Sequence, residues 1–164
     1  MGGLAGFGAP KAKREPIEVV EPKPPDRTLD KLLGVRKQRL DRLERERKDA
    51  RDAWKAARAV FREKKLQWRA AVEDAAYYWR QARKEFLAMN TTSGQYQKSK
   101  AVYERMKNAA TDQRVWCLEA LKRCKLKRGE FFAARERVLS ANRQQEKLTV
   151  MRDELRRRNQ QEEM

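Results

Sequence analysis

The chain has 164 residues, 40% of them charged, no histidine and a net charge of +17, with a mean hydropathy of -1.04. Such a composition excludes a large globular core, and the lack of imidazole removes the commonest general base and the commonest nitrogen metal ligand. It points to an elongated cationic molecule with anionic partners: acidic protein faces, nucleic acid or anionic lipid.

All five prolines lie within the first 25 residues. Together with glycine and alanine they make residues 1–27 read as a flexible arm, ending in the polyproline-like Glu21-Pro22-Lys23-Pro24-Pro25. Over residues 1–26 four basic side chains balance four acidic ones, so the whole charge excess falls on the remainder of the chain. The N-terminus lacks the apolar stretch of a secretory signal, and Gly6 stands where a myristoylation signal has Ser or Thr. The longest apolar run, residues 75–79, is too short to cross a bilayer. A cytosolic protein without membrane insertion is expected.

Asp26, Thr28 and Asp30 place acceptors and negative charge where a helix should begin. From Leu29 onward apolar residues recur on a three-four spacing through Leu33, Leu40, Leu43, Trp54, Phe61, Trp68 and Tyr78 to Met89, with 14 of 18 seam positions apolar. This predicts a helix over 28–90. Asn90-Thr91-Thr92-Ser93-Gly94 then offers capping side chains, and Gly94 can adopt φ > 0, so a turn is expected over 90–95. The same spacing resumes at Tyr96 and runs through Tyr103, Met106, Cys117, Cys124, Phe131, Val138 and Leu148 to Leu155, with 13 of 18 positions apolar. A second helix over 96–160 and a frayed tail over 161–164 complete the reading. Two equal stripes flanking one turn define an all-α, elongated antiparallel two-helix coiled-coil hairpin, each arm about 90 Å long at 1.5 Å per residue.

The stripes also carry finer expectations. Alanines alternating with Trp54, Phe61, Trp68 and Phe131 should let the backbones approach at one level and fill space at the next. Asp41 with Arg45, Glu44 with Lys48, Asp153 with Arg157 and Glu154 with Arg158 are spaced for ion pairs along the helix. Gly34 and Gly129 read as bends or close approaches. Cys117 and Cys124, a heptad apart, are too distant for a disulfide and read as small reduced core residues. Leu66, Val72, Tyr77 and Trp79 fall outside the first stripe, level with Val115, Trp116, Leu118 and Leu121 outside the second. These eight either widen the hairpin's own seam or form a surface covered by another molecule.

The opening of the first helix, from Leu32-Leu33-Gly34-Val35-Arg36 through Leu40-Asp41-Arg42-Leu43-Glu44, resembles the central-stalk proteins of bacterial type III secretion, the YscO group related to the flagellar export chaperone FliJ. The resemblance extends loosely over residues 28–160, through hairpin length, turn position and the Glu146-Lys147-Leu148 segment. It implies a cytoplasmic stalk at the inner-membrane secretion apparatus, whose terminal end enters the hexameric secretion ATPase while distal parts meet the export gate. Secretion chaperones are further implied partners. Carried onto this chain, contact with the ATPase ring falls to Leu32, Leu33, Arg36, Arg39, Leu40 and Leu43 with Leu148, Arg152, Leu155 and Arg156. The eight residues outside the stripes become the gate or chaperone surface.

No phosphate-binding loop, metal-ligand set or catalytic constellation is legible, so no enzyme activity and no cofactor are expected. Two other readings stay open. One is a basic coiled coil associated with nucleic acid, against which stands the dispersal of acids among bases along the sequence, so no specific nucleic-acid partner is expected. The other is a passive scaffold that self-associates through the aromatics outside the seam.

Overall fold

A computed structural model describes residues 27–162. They form two helices, α1 over Thr28–Leu87 and α2 over Ser93–Glu162, packed antiparallel along their length. The arm expected over 1–27 lies almost wholly outside the described residues, as do the last two of the chain.

The heptad stripes become the seam. Every α1 seam position from Leu29 to Ala82, and every α2 position from Tyr96 to Arg152, is buried or half-buried; Glu85, Met89 and Leu155 are exposed. Apart from Leu43, the most deeply buried side chains are small, as expected of helices in close approach: Ala57, Ala75 and Ala82 in α1, and Ala110, Cys117, Cys124, Ala134 and Val138 in α2. Both cysteines are free thiols. Between these levels aromatic rings fill the seam. Trp54 stacks on Phe131 at 5.5 Å, and Trp79 stacks on Tyr103 at 5.0 Å and on Tyr96 at 5.6 Å. Phe86 closes the series beneath the turn, 4.3 Å from Tyr96.

The turn is built differently from the expectation. α1 ends three residues earlier than predicted, and the left-handed residue that stops it is Met89, with φ 54°, rather than Gly94. The Met89 N–H donates to the Phe86 carbonyl and the Asn90 N–H to the Glu85 carbonyl, both at 3.0 Å. These are the two bonds of a Schellman cap. Gly94 lies inside the first turn of α2, where Thr92 is the cap. The Gln95 N–H donates to Thr92 Oγ1 at 3.3 Å, while the Thr92 N–H donates to Gln95 Oε1 at 2.9 Å. This reciprocal pair is a capping box, and it starts α2 three residues before the predicted position.

Two other expectations are corrected. A Cβ at Gly34 or Gly129 would meet nothing within 4 Å, so neither glycine marks a close approach. Nor do the four predicted ion pairs form: Arg45 bonds the Asp41 carbonyl instead, and acids look across the seam as well as along the helix. Exposed pairs four apart are worth only a few tenths of a kcal/mol, too little to hold long side chains against better partners.

Candidate interaction surfaces

The predicted ring-contact residues gather at the open end of the hairpin but divide by environment. Leu43 is buried, and Leu33, Leu40 and Leu148 are half-buried in the seam, where they hold the helices together. Leu32 and Leu155 expose 39% and 45% of their surface and remain accessible to another molecule. Three of the four arginines are engaged within the hairpin. Arg36 donates to Gln144 Oε1 at 2.6 Å, and Asp30 accepts from Arg156 at 3.1 Å and lies 3.8 Å from Arg152. Asp30 thus clasps α1 to α2 at this end. Arg39, exposed and without an ion pair or hydrogen bond among the described residues, is the arginine here free to meet a partner.

The eight residues outside the stripes do not form one patch. Trp79 is half-buried, sandwiched by Tyr96 and Tyr103, and so belongs to the hairpin's own packing; Leu121 is half-buried too. An indole one position off the seam is large enough to lie across it, which spacing alone does not reveal. Leu66, Val72, Tyr77, Val115, Trp116 and Leu118 are exposed, by 46 to 66%. Trp116 sits beside Lys64, whose ammonium is 5.7 Å from the ring centroid, about 20 Å along α2 from the Trp79 stack. It borders a shallow groove of about 440 Å³ with Ala57, Val60, Glu119 and Ala120. Val72 and Tyr77 border a separate depression with Ala76 and Arg80. Val60, 47% exposed, is a groove residue that sequence reasoning missed; its place just outside the stripe was the available signal.

Among the described residues no cluster of cysteines and carboxylates could hold a metal ion, and no helix is long and apolar enough to cross a membrane. The class this defines is an antiparallel coiled-coil rod with separate exposed surfaces along it. Compared with known proteins, the chain matches no family model, no curated protein and no solved structure.

Proposed function

We propose that the protein is a non-enzymatic stalk or adaptor of a bacterial type III secretion apparatus, linking the export ATPase ring to the export gate at the cytoplasmic face of the inner membrane. The observation that supports this reading is the pairing of a 60-residue with a 70-residue helix along one seam. A rod about 90 Å long can carry position or torque between two machines, which a flexible linker cannot. The resemblance of residues 32–44 to the stalk family supplies the identity of those machines. At the open end Leu32, Arg39 and Leu155 are the side chains available to the ring, and Leu66, Trp116 and Leu118 are available to the gate or to secretion chaperones.

A pull-down against the purified secretion ATPase, with ATP hydrolysis followed in parallel, tests the proposal. Retention of the chain and a changed hydrolysis rate are expected, both weakened by Arg39→Glu combined with Leu155→Ser. No retention and an unaltered rate would defeat it. The exposed residues farther along the rod have their own check: Leu66→Ser with Trp116→Ser should weaken gate or chaperone binding while the helical circular dichroism stays unchanged.

A further inference from the structure

Bases and acids are mixed along the sequence, but they are sorted around the rod. On α1, Lys48, Arg51, Lys55 and Arg58, continued by Arg62, Lys65 and Arg69, succeed one another at alternating steps of three and four. That spacing puts them on a single ridge with a cation every 5 Å or so, about 31 Å in all. Asp49, Asp52 and Glu63 sit about a quarter turn or more away. On α2, Lys107, Arg114, Arg128 and Arg135 recur at multiples of seven, so they share one column.

Contacts across the seam place ridge and column on the same flank. Arg135 borders a shallow groove with Lys48, Arg51 and Phe131, closed at its outer end by Asp41 and Glu44. Farther in, Arg58 lies over the Trp54 ring, Trp54 contacts Phe132 and Arg128 lies over Phe132. Among the described residues only Arg51 in these two rows has a carboxylate within ion-pair distance, Asp52 at 3.9 Å. Like charges thus face each other across the seam, with carboxylates near them only at the Asp41, Glu44 and Asp52 end.

We propose that this flank binds a single strand of nucleic acid through its phosphates, without sequence preference. On α1 the ridge carries no apolar side chain, and on α2 the column is interrupted by the half-buried Leu121 with Phe132 exposed nearby; rows of charge with so small an apolar centre make a poor protein-protein interface. Phosphate binding needs none, because release of condensed counterions supplies the affinity. A straight ridge suits an extended strand better than a duplex, whose backbones wind away from any line. Phe132, exposed and beside Arg128, offers a base a face on which to stack. This binding is independent of the stalk reading, so either can fail alone.

Fluorescence anisotropy with a labelled mixed-sequence RNA of about 20 nucleotides tests it. Binding should be tight at about 50 mM salt and fall steeply by about 200 mM. Lys55→Gln, Arg58→Gln and Arg62→Gln together should weaken it at least tenfold and reduce the logarithmic salt slope by about 2. Arg105→Gln, Lys122→Gln and Arg143→Gln remove the same charge elsewhere and should change little. Arg62→Gln alone, at an exposed position, should lower the slope by about 0.7 and guards against misfolding of the triple variant. No binding at low salt, equal weakening by the two triple variants, or tighter binding to duplex or to polyglutamate would overturn the proposal.

Discussion

Met89 is the residue at which the chain is most at odds with its own preferences. A left-handed backbone costs an ordinary L-residue about 1–2 kcal/mol, and the methionine side chain gains little in return because it is 92% exposed. Met89→Gly should therefore raise stability by about 0.5–1 kcal/mol, seen as a higher thermal midpoint with an unchanged helical spectrum. Thr92, three residues on, works in the opposite sense. Its hydroxyl and backbone amide are both matched by Gln95, so Thr92→Ala should cost about 1 kcal/mol in chemical unfolding. If both substitutions proved neutral, the turn would not be held by its caps. The two residues also show where reading a sequence by type runs out. Glycine signals freedom to adopt φ > 0, but Gly94 lies in α2 and the strain falls on a residue with no such signature. The capping box Thr92-Ser93-Gly94-Gln95 was open to inspection, since its spacing of three is the signal.

At the scale of the helix, the seam depends on small residues as much as on large ones. Ala75 is 5% exposed and Ala134 4%, levels at which the facing helix leaves no room for a longer side chain. Ala75→Leu adds apolar volume yet should destabilise by about 1–3 kcal/mol in chemical unfolding, because the helices must part or the leucine must leave its preferred rotamer. A stabilised variant would mean that the seam is looser than its burial implies. Helix existence, pairing and seam membership were all legible from the spacing, because a heptad kept over some 60 residues admits only one buried side. Trp79 and the ion pairs were not. Which neighbour a long side chain on the seam's flank chooses depends on energies of a few tenths of a kcal/mol and on the exact level of the opposing helix.

For the whole molecule the lesson of the site is similar. The sequence located the open end and the surplus apolar residues, but it grouped Trp79 with Trp116, which the hairpin separates by about 20 Å. It also treated acids and bases as interspersed, because dispersal along a chain hides sorting around an axis. The closure at the open end carries one last mechanical consequence. Asp30 holds Arg152 and Arg156 where the two strands of the rod would first come apart. A twist applied there is shared by every layer beneath it, whereas a tug separating the tips meets the layers singly, beginning with that one carboxylate. On the stalk role we propose, such a rod would carry rotation better than it withstands peeling.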